Sequence, residues 1–181
     1  MRRYTTEELR ARFKEMGYQF PEFHVIGVRS NADVPDRFDD SIYLYDNGEL
    51  LYFEKATTNP GAHWLQNFLN KSGTAVLKLG QYINTWIIGK HQGLYKALVQ
   101  IRPVTVWRDA DKDLKSETGK EDTGMFGINI HRANPSITSV LIGKWSAGCQ
   151  VLANPVEFDT LISRCERSAK TQFTYTLLQE F

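Results

Sequence analysis

SIYLYDNGELLYFEKA, residues 41–56, decides the broad fold. Two runs of β-forming residues flank Asp46-Asn47-Gly48. Asn-Gly between such runs is the strongest short hairpin signal, because both turn positions need φ > 0. Downstream, TAVLKLGQY, NTWIIGKHQ, YKALVQIR and VTVWRD within residues 74–107 read as further short strands separated by Gly-containing turns. Upstream, FHVIGVRS (residues 23–30) is a β-like run rich in Val and Ile, and FTYTLLQ supplies a last strand.

A helix stands near each end. Over about 5–16, Thr5 with Glu8 has the capping-box form, Leu9, Phe13 and Met16 share one face, and Gly17 stops the helix. Over about 155–168, Asn154 caps, Pro155 takes the first helical position, and Glu157 completes a second capping box. Phe158, Leu161, Ile162 and Cys165 follow at i, i+3, i+4, i+7, which makes Cys165 a small core residue. The connections NADVPDRFDD (31–40) and TTNPGAHW read as solvated loops, and HWLQNFLN as a short helix. DADKDLKSETGKEDTG (109–124) has no apolar periodicity and reads as an exposed loop, either a solvated insertion or the rim of a cleft. The class is α+β and β-rich, a single domain over 1–181.

Composition narrows the function. The 181 residues are 41% hydrophobic with ten Phe, eight Tyr and four Trp, enough for one sizeable core. No run approaches the roughly 20 apolar residues of a membrane span. A net charge of +1 gives no footprint for nucleic acid. The opening MRRYTTEELRARF carries charges with no apolar segment behind them, so the expectation is synthesis in the cytoplasm without a signal peptide. Two cysteines suit one reactive and one structural thiol better than a disulfide scaffold.

The chemistry concentrates in FGINIHRANPSITSVLIGKWSAGCQVL, residues 126–152. Strand alternation over 125–131 puts Phe126, Ile128 and Ile130 on one face and Gly127, Asn129 and His131 on the other. His131 then projects from the strand's end toward a cleft. After fourteen intervening residues comes the tight turn Ser146-Ala147-Gly148-Cys149. Its small residues let a carbonyl approach the backbone, and the Gly148 and Cys149 N–H groups can face a developing oxyanion. A free thiol has a pKa of about 8.5, so attack needs a neighbouring imidazole to take the proton or hold it as an ion pair. The Ser146 hydroxyl either bonds near the thiol or steadies the turn.

His131, the fourteen-residue gap and Ser146-x-Gly148-Cys149 resemble the active-site signature of the L,D-transpeptidase (YkuD-type) catalytic domain family. The firm resemblance covers about 126–152, and a looser one extends over about 41–152. It implies a β-sandwich with a helix near each end. It implies Cys149 as nucleophile, His131 as base, Ser146 in the catalytic turn, and Gly148 and Cys149 as oxyanion hole. A backbone carbonyl just after the base, at or near Arg132, would orient the imidazole. The implied reaction is acyl transfer on peptidoglycan stem peptides through a thioester, resolved by an amine or by water, with no cofactor and no metal. Read from the residues and not from the resemblance, the candidate substrate contacts are Arg132 and Gln150, for a substrate carboxylate, with Trp145 and His91, the last lying between glycines in GKHQG.

The signature departs from the family at three positions. Ala147 stands where His or Asn is common, Arg132 where Gly is common, and Gln150-Val151-Leu152 where an apolar residue precedes Arg or Asn. A short form of this kind looks like a phage or prophage cell-wall enzyme, or an injected effector, acting at the wall after release. Two alternatives stand beside it. One is a non-catalytic cell-wall or virion protein that keeps the fold. The other is a metal site from His24, His63, His91, His131 and Cys149, which lack close ligand spacing.

Overall fold

The computed structural model describes residues 2–32, 34–116 and 119–181. The segment over 109–124 therefore lies partly outside the described residues, at Glu117 and Thr118. The order is α1 (Thr6–Glu15), β1 (Phe23–Arg29), β2 (Asp40–Asp46), β3 (Glu49–Thr57), α2 (Ala62–Gln66), β4 (Thr74–Leu77), β5 (Gly80–His91), β6 (Tyr95–Gln100), β7 (Val104–Asp109), β8 (Lys120–Gly124), β9 (Ile130–Arg132), β10 (Gln150–Leu152), α3 (Pro155–Arg167) and β11 (Phe173–Gln179).

The expected hairpin is β2–β3. Asn47 and Gly48 take φ of 48° and 100°, the two positive values the turn requires. Both halves of the α1 capping box form: Thr5 Oγ1 accepts from Glu8 N, and Glu8 accepts from Thr5 N. Leu9 and Phe13 are buried, but Met16 is 43% exposed because the helix has ended by then. At α3, Asn154 caps through Val156 N at 3.0 Å. Glu157 does not complete the second box; its Oε2 makes no hydrogen bond.

The expectation was a sandwich. In the structure, eight strands close into a barrel in the order β1-β11-β5-β6-β9-β10-β3-β2. β4, β7 and β8 form a separate three-stranded sheet. Closure depends on two parallel pairings, β1 with β11 from opposite ends of the chain and β9 with β10 across one loop. A closed sheet leaves no unpaired edge. Phe23, Val25, Ile42, Leu44, Trp86, Leu98, Ile130 and Tyr175 fill one core, which also takes the apolar face of α3 and Val104 and Val106 of β7. A second core lies under α1, where Leu9 and Phe13 meet Ile26, Val28 and Tyr43. β1 is therefore buried on both faces, which is why it reads as a continuous apolar run. Among the described residues, no helix is long and apolar enough to cross a membrane.

Two loops do more than connect. In 31–40, Asp36 Oδ1 accepts from Ala62 N at 2.9 Å and Gly143 N at 2.7 Å, tying three chain segments together. Asp40, fully buried, accepts from Ser30 N, Thr58 N and Thr58 Oγ1. The end of the charged stretch is strand β8, paired antiparallel with β7, rather than loop.

Candidate active site

The stretch 125–131 is strand only from Ile130. Gly127 takes φ +71° and breaks the ladder. Buried groups hold this irregular backbone in place. Gln100 Oε1 accepts from Phe126 N and Ile128 N, and Gln100 Nε2 donates to Gly124 O. Trp86 Nε1 donates to Ile128 O at 2.7 Å. Ile128 and Ile130 still enter the core, as alternation predicts.

β10 runs parallel to β9, with Gln150 opposite Ile130 and Val151 opposite His131. One residue earlier, Gln150 N donates to Asn129 O at 2.9 Å. This register sets Cys149 beside Asn129, whose N–H reaches Cys149 Sγ at 3.5 Å. The thiol donates to Gly127 O at 3.3 Å. Sequence separation of the two halves is thus converted into adjacency by two short parallel strands.

The turn before Cys149 is built from inside. Ser146 is fully buried; its hydroxyl donates to Cys149 O at 2.8 Å and accepts from Gly148 N at 3.2 Å. Of the two roles expected for Ser146, it takes the one that steadies the turn. Gly148 has φ +122°, and a Cβ there would stand 2.4 Å from Ala75 O. Gly148→Ala should destabilise the fold by roughly 3 kcal/mol or more through strain and overlap. Urea unfolding checks this; an unchanged midpoint would contradict it. Gln150, expected to touch substrate, is fully buried instead. Tyr175 Oη donates to its Oε1 at 2.8 Å, and its Nε2 donates to Gly148 O at 3.2 Å. Tyr175 reaches that place because Gly27 leaves the space; a Cβ on Gly27 would meet its hydroxyl.

His131 is 2% exposed. Its Nδ1 lies 2.8 Å from Arg132 O and 3.1 Å from Tyr95 Oη, and Tyr95 Oη also lies 3.2 Å from Arg132 O. A carbonyl can only accept, so His131 Nδ1–H donates to Arg132 O. The proton is then on Nδ1, and Nε2 carries a lone pair that makes no hydrogen bond. Burial, reinforced by His91, pushes His131 down to about 3, so the ring is neutral. Burial pushes the Cys149 thiol up to about 11, against the pull of the Asn129 N–H on the sulfur. The resting pair is a neutral thiol and a neutral imidazole. The ion pair allowed for in the sequence is not the resting state, because neither charge has enough compensation where it is buried.

Cys149 opens on a cleft of about 500 Å³ walled by Trp64, Ala75, Arg108, Phe126, Asn129 and Ala147. His131 does not line it. His91, at the end of β5, does, with its ring stacked on His131 at 3.9 Å between centroids and 20° between planes. Arg132 lies outside this cleft, over the Tyr95 ring at 4.1 Å, facing a second hollow bounded by Lys96 and α3. Trp145 is 41% exposed and is not a wall of the Cys149 cleft.

The chain has no match among protein-family models, curated proteins or solved structures.

The site must therefore be read from its own atoms. Sequence reasoning missed Arg108, Asn129 and Tyr95. Arg108 is the charged side chain on the cleft wall, held by Asp122 Oδ2 at 3.0 Å and set over the Phe126 ring at 4.5 Å. Asn129 stood on the His131 face of the alternation, which was its signal. Tyr95 and Arg108 gave none, since only the barrel and the small sheet bring them here. The five residues of the alternative metal reading do not assemble. His24 is packed among Phe13, Phe20 and Tyr45 under α1, and His63 sits against Trp64.

Proposed function

We propose that this chain is a cysteine-dependent acyl-transfer enzyme acting on peptidoglycan stem peptides, as an L,D-transpeptidase or as an L,D-carboxypeptidase or endopeptidase. The observation that carries the reading is the 2.8 Å contact of His131 Nδ1 with Arg132 O: it commits the Nδ1–H to that carbonyl and leaves the Nε2 lone pair as a base one strand away from a thiol that opens on a cleft. An unpaired lone pair buried in a core costs free energy. His24 carries a similar lone pair enclosed by aromatic rings; that of His131 differs in standing near a thiol that opens on a cleft, where it is available to accept a proton.

In this reading the thiol leaves Gly127 O and turns to His131 Nε2. Proton transfer accompanies attack on the substrate carbonyl, because neither ion is stable beforehand. The thioester forms at Cys149 Sγ, and the imidazolium returns its proton to the departing amine. An amine or water then resolves the thioester. Arg108 is the charged side chain on the cleft wall, but its Nε and Nη2 are paired with Asp122 and its Nη1 with Gly73 O, so a stem-peptide carboxylate would reach it only by displacing Asp122. The β-rich α+β barrel is taken as a divergent form of the L,D-transpeptidase fold, and the site of action as the cell wall after release or injection.

Muropeptide mass spectrometry tests this. Purified muropeptides incubated with the wild-type protein should show a crosslinked or trimmed product, and none with Cys149→Ala. Equal product from both, or none from the wild type, would sink the reading. One observation favours a second reading, a non-catalytic wall-binding or virion protein: the thiol is bonded to Gly127 O and not to His131. It predicts co-sedimentation with purified sacculi that Cys149→Ala leaves intact, with no product from either protein.

A further inference from the structure

Attack by a thiolate on an acyl carbonyl places a negative charge on oxygen, and that charge needs donors already in position. The turn offers fewer than its sequence suggests. Gly148 N–H is committed to Ser146 Oγ at 3.2 Å. Cys149 N–H makes no hydrogen bond among the described residues. One donor is half of what an oxyanion hole ordinarily provides.

A second donor stands on the neighbouring wall, and its protonation follows from a chain of three bonds. Gln100 N–H donates to Asn129 Oδ1 at 3.0 Å. A backbone N–H cannot accept, so this bond fixes which end of the Asn129 amide is oxygen. The other end, Nδ2, faces His91 Nδ1 at 3.0 Å. An amide nitrogen only donates, so His91 Nδ1 holds a lone pair. Burial disfavours the imidazolium. The neutral ring therefore carries its proton on Nε2. That atom makes no hydrogen bond among the described residues and is not among the solvent-excluded ones. His91 lines the cleft with Cys149. In this state it cannot be the base, since its lone pair is taken by Asn129.

We infer that His91 is an oxyanion donor of the Cys149 site, its Nε2–H sharing the tetrahedral oxygen with Cys149 N–H. The role rests on the acyl-transfer reading and deepens it. As the Sγ–C bond forms, the carbonyl π pair moves onto oxygen and the thiol proton passes to His131 Nε2. On collapse the pair returns, the C–N bond breaks, and the amine leaves with the proton from His131. His91 keeps its proton throughout. The stack on His131 holds the ring in place and disfavours a second charge beside the imidazolium.

Two reactions of the same thiol separate this role from a structural one. Acylation by p-nitrophenyl acetate passes through an oxyanion, whereas alkylation by iodoacetamide does not. His91→Phe keeps the stacked ring and removes the donor; His91→Gln returns an N–H near the same place. His91→Phe should slow acylation of Cys149 by about 10²-fold, with alkylation within about twofold of wild type. His91→Gln should recover roughly tenfold or more of the lost rate. Acylation at the wild-type rate in His91→Phe, an equal slowing of alkylation, or no recovery in His91→Gln would overturn the role of His91 while leaving the acyl-transfer reading standing. Failure of the wild-type protein to acylate faster than Cys149→Ala would overturn the acyl-transfer reading and the role of His91 with it.

Discussion

Removing the base should cost this protein most of its rate, and with the base in place the acid side of the pH profile should be nearly flat. His131→Ala is expected to lower kcat by about 10²–10⁴-fold, and Cys149→Ala to bring it to background. The loss is large because the resting thiol, raised to about 11, offers almost no thiolate at neutral pH, so proton removal must accompany attack. The pH dependence follows from His131, lowered to about 3. Its base form is populated at every pH above that value. kcat/KM should therefore hold steady from about pH 7.5 to about pH 5, where an ordinary histidine base would have lost half of its activity at about 6.5 and nearly all of it by about 5. Alkylation of Cys149 should rise about tenfold per pH unit from about pH 7 to about pH 10, where a free cysteine levels off above 8.5. An acid limb centred near 6.5, or an alkylation rate that is high and flat at neutral pH, would mean a thiolate–imidazolium pair.

The second large effect is on stability in acid. His24 is fully buried, with Nδ1 2.6 Å from Pro21 O and Nε2 unbonded among aromatic rings, and burial lowers it to about 4. His131 is lowered further, to about 3. In the unfolded chain both titrate near 6.5. The unfolded state therefore binds protons first, and the stability each neutral ring contributes above 6.5 is lost as pH falls toward the folded value. Each such group costs about 1.4 kcal/mol per pH unit over that window. Asp40 acts in the opposite sense. Burial raises it to about 6 against an ordinary value near 3.9, so its contribution grows as pH falls from 6 to about 4. One carboxyl does not offset two imidazoles. The net loss between about pH 7 and about pH 4 should be on the order of 4 kcal/mol, a large part of a typical domain's 5–15 kcal/mol. Urea melts at several pH values measure it directly. His24→Asn, which keeps a donor for Pro21 O, should make the acid loss smaller by about 3 kcal/mol. Stability that is constant or rises from pH 7 to pH 4 would contradict this burial of neutral histidines.

The sequence was most legible where structure is local. Thr5 with Glu8, Asn47-Gly48, Asn154-Pro155 and the Phe158–Cys165 stripe each carry their reason within a few residues, and all but the Glu157 half of the second cap appear as expected. Barrel closure was not legible, because it rests on β1–β11, β5–β11 and β3–β10, pairs joined across long stretches of chain; the β9–β10 pairing of the His131 and Cys149 segments is the one the spacing did suggest. β8 was missed because a polar strand at a sheet edge has no apolar face to announce it.

The site divides in the same way. His131 and Cys149 stood out by type and spacing. Their neighbours in sequence did not turn out to be their neighbours in the cleft: Gln150 points into the barrel and Arg132 turns to the far side of Tyr95. Adjacent residues of a strand face opposite ways, so proximity along the chain is weak evidence for a shared cleft. The cleft's other polar groups, His91 and Arg108, come from β5 and β7, which no local pattern ties to residues 126–152.

The central claim is that Cys149 carries the acyl group. Intact-protein mass spectrometry of the protein quenched during incubation with a synthetic stem tetrapeptide measures it. The predicted result is a wild-type adduct equal in mass to the tetrapeptide acyl fragment without its leaving residue, mapping to the Cys149 peptide, released by hydroxylamine, and missing in Cys149→Ala. Peptide turnover with no adduct at Cys149, or the same adduct in both proteins, would contradict it.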